Sequence, residues 1–238
     1  MRDAPGGCVG RAILKLEGAQ MFPIGDDDTA RRSTPVVTYV LIAINVAVFL
    51  LELQAGDRFI QDWAFIPARF SEHGGTDWVT ILSAMFMHGG WLHLGGNMLY
   101  LWIFGDNVED RLGHVRYLLF YLAAGLAATF AQYWVNPGSA VPNVGASGAI
   151  AGVLGAYLLM FPKARVDVLL GRQIVAMPAF LVLGFWIALQ LVSGVGSIAD
   201  TAQTDQGGVA YMAHVGGFVA GLVMGAIFGG LRRPTDVA

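Results

Sequence analysis

The chain has 238 residues, 55% of them hydrophobic and only 13% charged, and carries a net charge of −3. Soluble domains run nearer a quarter charged, so this composition excludes an ordinary soluble domain and points to a membrane. The small net charge gives no ground for a nucleic-acid partner, and a single cysteine, Cys8, excludes an intrachain disulfide.

Residues 1–33 are polar and contain Gly, Asp and Arg, which reads as a flexible N-terminal tail. Six apolar segments follow, at about 35–53, 84–104, 115–135, 144–161, 174–195 and 208–230. Most reach the ~20 residues that a helix needs to cross a ~30 Å hydrocarbon core. No stretch alternates with period two, so the expected fold is an all-α polytopic bundle of six helices and not a barrel. The first segment lacks a small-residue cleavage site and reads as an anchor rather than a signal peptide.

Basic residues set the expected orientation. Arg2, Arg11, Lys15, Arg31 and Arg32 precede segment one; Arg111 and Arg116 lie between segments two and three. Lys163, Arg165 and Arg172 lie between four and five, and Arg232 and Arg233 follow six. With these on the cytoplasmic side, only Arg58 and Arg69 of the 14 basic residues are outside, and both termini are cytoplasmic.

The long loop after segment one, "QAGDRFIQDWAFIPARFSEHGGTDWVTI", interleaves Phe59, Trp63, Phe65, Phe70 and Trp78 with charge, which suits the outer membrane interface. Segment two carries His88, His93 and Asn97. His93 and Asn97 are four apart and share a helix face; His88 lies off that face, nearer the outer mouth. The loop 136–143 ends in Pro142 and Asn143, a helix-start signal. Segment four then opens with "VGASGAIAG", within a stretch from Tyr117 to Pro162 that contains no Asp, Glu, Lys or Arg. Ser147 among Gly145, Gly148 and Gly152 reads first as a packing surface. It is not a hydrolase elbow, because position 149 is Ala and no strand precedes it.

The polar loop 200–208 is expected to be mobile. Segment six changes the reading of the serine. In "AHVGGFVAGLVMG", Ala213, Gly217, Gly221 and Gly225 recur every four residues, a smooth strip that another helix can approach closely. His214 borders the strip. If the strip packs on Gly148 and Gly152, imidazole and serine come within hydrogen-bond reach. Depth agrees: Ser147 to Phe161 and His214 to Phe228 are both about 21 Å along a helix. Against a core of ~30 Å, both groups lie roughly 9 Å below the outer boundary, where a nucleophile needs a water-filled hollow.

Three rivals are weighed. A transporter or channel predicts ionisable groups near the midplane, which segments three to five lack, and no inverted repeat is visible. A bis-histidine haem or metal protein has His88, His93 and His214 to draw on, but no HExxH and no cysteine cluster. A catalytically inactive scaffold is expected to have lost Ser147 or His214, and both are present.

"HGGWLHLGGN" with "FGDNVEDRLG", then "GASGAIAG", then "AHVGGFVAG", in this order, resembles the rhomboid intramembrane serine proteases of the bacterial six-helix form. The likeness covers about 34–233, leaving 1–33 and 234–238 as cytoplasmic tails. It implies Ser147 as nucleophile and His214 as general base and then acid, with no cofactor and no metal. It implies His93, Asn97 and the Ser147 N–H as the oxyanion site, with His88, Gly145, Gly148 and Gly217 supporting. Glu109 and Arg111 match a structural motif of the family. Some members carry Tyr four residues after the serine; here Ala151 stands there, so an aromatic platform for His214 comes from elsewhere or is absent. The implied partners are the bilayer of the cell (inner) membrane and single-pass transmembrane substrates. "MFPIGDDDTARR" resembles the start of many bacterial members, so Met21 competes with Met1 as the initiator.

Overall fold

The computed structural model describes residues 22–29, 31–73, 76–199 and 209–228. The expectations for Met1 and Met21, for the 200–208 loop and for the 234–238 tail lie outside the described residues. The elements are β1 (Phe22–Asp26), α1 (Val36–Ala55), α2 (Asp57–Trp63), α3 (Pro67–Glu72), α4 (Val79–Ala84), α5 (Trp91–Leu112), α6 (His114–Val135), α7 (Ser147–Met160), β2 (Arg165–Leu170), β3 (Gln173–Pro178), α8 (Ala179–Ala199) and α9 (Tyr211–Phe228).

Helix α7 is the axis of the bundle. Every residue from Gly148 to Tyr157 is buried, and α5, α6, α8 and α9 pack around it. A helix of 14 residues is about 21 Å long, short of a ~30 Å hydrocarbon core. It is enclosed by longer helices, so its first residue, Ser147, starts below the ends of its neighbours. The outer helices are apolar on their outward faces: Leu51 on α1, Val192 on α8, and Val223 and Ile227 on α9 are exposed. That is the reverse of a soluble bundle and fits lipid around it. Val36–Ala55, His114–Val135 and Tyr211–Phe228 are each long and apolar enough to cross a membrane; Ser147–Met160 and Ala179–Val195 are shorter apolar helices.

The closest packing is glycine on glycine. A Cβ added at Gly217 would collide with the Gly148 carbonyl oxygen, and one at Gly221 with the Gly152 carbonyl. The α7–α9 seam is thus a backbone-to-backbone contact that only hydrogen side chains permit.

Buried acids organise the other end. Glu109, fully buried, accepts hydrogen bonds from Val37 N–H (2.9 Å), Thr38 N–H (2.7 Å) and Thr38 Oγ1 (2.7 Å). It thereby caps the free N–H groups at the start of α1. Asp110 accepts from Ser33 N–H at 2.7 Å, and Asp106 pairs with Arg31. Gly113, at φ +78°, turns the chain directly from α5 into α6.

The structure corrects the sequence expectations in four places. The fold is mostly helical rather than all-α: β1, β2 and β3 form an antiparallel sheet in that order. β2 and β3 are joined by the two-residue Gly171–Arg172 turn, with Gly171 at φ +62°. Residues 174–178, expected in segment five, belong to β3 because Ile174 and Val175 pair with Leu169 and Val168; the helix starts at Ala179. The expected 84–104 segment is displaced to 91–112. Gly89–Gly90 interrupts the helix, and Asp106, Glu109 and Asp110 extend it because each has a partner. Finally, the expected flexible tail is structured from Phe22 to Asp26, where β1 pairs with β2.

The aromatic loop after α1 folds as α2, α3 and α4. Phe65 is fully buried and forms a small core with Phe70 and Tyr133, while Trp63 and Trp78 stay exposed. Phe65 O accepts from Asn143 N–H at 2.7 Å, tying this loop to the segment that leads into Ser147.

Candidate active site

Ser147 is the first residue of α7, and the preceding Gly145 is at φ +132°, a conformation L side chains rarely adopt. Gly145 N–H donates to Ala84 O at 2.9 Å, which pins this turn to α4. His214 sits in the first turn of α9, buried, beside the glycine seam. The seam sets the two backbones, and Ser147 Oγ lies 2.8 Å from His214 Nε2.

Two side chains from α8, which the sequence reading missed, hold the imidazole. Gln190 Oε1 lies 2.7 Å from His214 Nδ1. Trp186 lies against the ring at 5.8 Å between centroids and 37° between planes. Trp186 is thus an aromatic side chain beside His214, where Ala151 offers none. A signal was available: Gln190 is the one amide or acid side chain in α8, and polar groups within apolar helices are costly unless they bond something. Trp186 lies four residues earlier on the same face.

His93 projects toward the serine from the first turn of α5. Gly89 N–H donates to its Nδ1 at 3.3 Å, so the ring proton is on Nε2. The position that a Cβ on Gly145 would take lies 2.9 Å from His93 Nε2 and 3.5 Å from Ser147 Oγ. A donor thus faces the space next to the hydroxyl, and glycine keeps that space open. Asn97 follows one turn later; it is buried, and its Nδ2 has no hydrogen-bond partner among the described residues. A buried amide donor left without a partner costs free energy, on the order of 1–3 kcal/mol.

His88 is in the turn before α5, not within the helix as expected. Its backbone N–H donates to Glu52 Oε2 at 3.0 Å, and its buried ring packs edge-on against His93 at 5.1 Å. It touches the site through His93. Gly148 and Gly217 meet in the seam. Beside Ser147 opens a cleft walled largely by small side chains, including Ala84, Gly125, Ala128, Ala210 and Ala213.

A second cluster of acids lies far from the serine. Asp26, Asp28 and Asp106 bring carboxylate oxygens within 4.8 Å of one another. Arg31 pairs with Asp106, while Tyr157 and Asn107 donate to Asp26 at 2.6 and 2.8 Å. Tyr157 is ten residues along α7 from Ser147, about 15 Å. Burial pushes the Asp26 carboxyl up to about 7, with Asp106 and Asp28 adding repulsion, against the Tyr157 and Asn107 hydrogen bonds that lower it.

The Rhomboid domain family model matches residues 75–231. The chain is 30% identical over 194 residues to "Rhomboid protein 1, mitochondrial" of Saccharomyces cerevisiae, covering 79% of this chain and 52% of that protein. It is 34% identical over 199 residues to "Rhomboid protease GluP" of Bacillus subtilis, covering 82% of this chain and 35% of that protein. To "Rhomboid-like protein 11, chloroplastic" of Arabidopsis thaliana it is 31% identical over 189 residues, 77% of this chain and 62% of that protein. The chain thus spans 35% to 62% of the length of these curated relatives.

Proposed function

The chain belongs to the rhomboid family of membrane proteins, and from that premise we propose that it is an intramembrane serine endopeptidase acting through Ser147 and His214. The observation that carries the reading is the 2.8 Å contact between Ser147 Oγ and His214 Nε2 at the start of a buried helix. In this mechanism Nε2 accepts the hydroxyl proton as Oγ attacks a substrate carbonyl carbon. The imidazolium then returns that proton to the departing amine, leaving an acyl-serine that water hydrolyses by the same route in reverse. The oxyanion is met by His93 Nε2–H, the Asn97 amide and the Ser147 N–H, which is free at a helix start. The unpartnered Asn97 donor supports this role, because the cost of leaving it unpaired is recovered when negative charge develops.

The proposal extends to topology: six spans, both termini cytoplasmic, in the cell membrane. Substrates on this reading are single-pass proteins. An intact helix shields its carbonyls, and unwinding it in hydrocarbon leaves polar groups unpaired at several kcal/mol each. Spans containing Gly or Pro, with a small residue before the cut, fit the cleft of small side chains beside Ser147. Purified protein is expected to react with a fluorophosphonate probe, and Ser147→Ala is expected not to. Labelling of the alanine variant equal to wild type rules the reading out.

A further inference from the structure

A serine and a histidine 2.8 Å apart make a base only if the imidazole presents a lone pair, and not a proton, to the hydroxyl. No acid stands behind His214 on α7 or α9. The atom that faces its Nδ1 is Gln190 Oε1, at 2.7 Å, from the middle of α8. An amide oxygen only accepts, so Nδ1 carries the ring proton and Nε2 is left free for the Ser147 hydroxyl. One turn earlier, Trp186 covers the ring at 5.8 Å. The lower end of α8 is itself anchored: Ala179 N–H donates to Ala164 O at 2.9 Å and Phe180 N–H to Pro162 O at 3.1 Å, at the end of α7.

We propose that Gln190 is a positioning residue for His214, holding it in the Nδ1–H tautomer, and that Trp186 fixes the plane of the ring. The assignment rests on the reading of Ser147 and His214 as nucleophile and base. When the Ser147 proton moves to Nε2, both ring nitrogens carry protons and the ring is positive. Gln190 Oε1 keeps its bond from Nδ1–H, and its carbonyl dipole then faces the imidazolium. A neutral amide thus does here what a carboxylate does in the three-residue arrangement, with a smaller electrostatic contribution and without an ion buried in the bundle.

Three variants and two readouts test it, using the full chain in nanodiscs. Gln190→Met keeps the side-chain length without an acceptor; Gln190→Glu keeps an acceptor. With 15N-labelled histidine, His214 is identified by the signal lost in His214→Ala. Wild type is expected to show a protonated Nδ1 and an unprotonated Nε2, and Gln190→Met is expected to lose that preference. In cleavage of a transmembrane substrate, Gln190→Met is expected to lower kcat by about 10–100-fold with little change in KM, below the ~10⁴ seen when an anionic partner is lost. Gln190→Glu is expected to recover most of that loss. Wild-type tautomer and kcat in Gln190→Met overturn the assignment, and so does an equal loss in both variants, which marks packing alone. If wild type neither cleaves nor reacts with the fluorophosphonate, the protease reading fails. The tautomer comparison still decides Gln190, upheld by a change in Gln190→Met and overturned by none.

Discussion

Helix α9 meets two neighbours in opposite ways. Against α7 the contact is backbone on backbone, with Gly217 and Gly221 lying on the carbonyls of Gly148 and Gly152. Against α8 it is made by side chains, with Trp186 and Gln190 reaching His214, and a Cβ on Gly194 of α8 would stand 3.3 Å from the Met212 Sδ and Tyr211 Cβ atoms. The first interface has no adjustable atoms, so it sets where Ser147 and His214 start from. The second decides which way the imidazole faces. Position and orientation of one residue are therefore carried by different helices, and damage to each is expected to look different.

The largest effects belong to the groups that the seam brings together. Ser147→Ala and His214→Ala are each expected to abolish cleavage while the protein still inserts and folds. Because the two act as a unit, the double variant is expected to be no slower than either single one. Measured turnover of all three on one substrate checks this; substantial residual cleavage by Ser147→Ala removes the dyad.

Next is the seam itself. Even alanine at Gly221 must displace the Gly152 carbonyl, and overpacking of this kind typically costs about 1–3 kcal/mol. Gly221→Ala is expected to lower stability by that amount, and Gly194→Ala on α8, which meets only side-chain atoms of α9, by less. Thermal unfolding of both variants in detergent is the measurement, and equal midpoints erase the contrast between the two interfaces.

Asn97→Ala touches neither interface, so it separates alignment of the base from stabilisation of the oxyanion. Loss of one such donor typically costs about 10²–10³ in turnover. A slow enzyme with nearly unchanged KM is expected; a wild-type kcat takes Asn97 out of the site.

The smallest effect lies at the far end of α7. Asp26 has a folded value of about 7, above its ordinary 3.8. Between those values the folded chain holds a proton that the unfolded chain has lost, so stability falls as pH rises through the window. The cost is complete above about 7 and absent below about 4. Asp26→Asn, which still accepts from Tyr157, is expected to raise the unfolding midpoint slightly at pH 8 and not at pH 4. A gain equal at both values shows that ionisation is not the cause.

The residues brought together at the candidate site were legible where a period or a cost exposed them. Ser147, His93, Asn97 and His214 stood out as polar groups in apolar surroundings. The four-residue glycine spacing of α9 predicted its contact with α7. The displaced start of α5 was less legible because "MHGGWLH" carries no charge and no proline to mark a boundary, and only the Gly89–Gly90 break separates His88 from the helix of His93. Its far end was hidden for the opposite reason: Asp106, Glu109 and Asp110 look like the end of a span until their partners are known. The β2–β3 hairpin was signalled by Ile174 and Val175 after the Gly171–Arg172 turn, but an apolar run that continues into a helix masks a strand.

Composition and spacing alone determined that this chain is a helical membrane protein and which small residues let two of its helices touch. These are local properties, written in hydrophobicity and period. Tertiary structure decided what stands behind the imidazole, what caps α1, and that a strand before α1 pairs with the hairpin ahead of α8. Each joins residues tens of positions apart or more: 24 between Gln190 and His214, 71 between Thr38 and Glu109, and 140 between the paired Asp26 and Val166 (166 − 26). A hydrogen bond between distant residues leaves no periodic mark in either segment, because only packing of the whole bundle brings donor to acceptor.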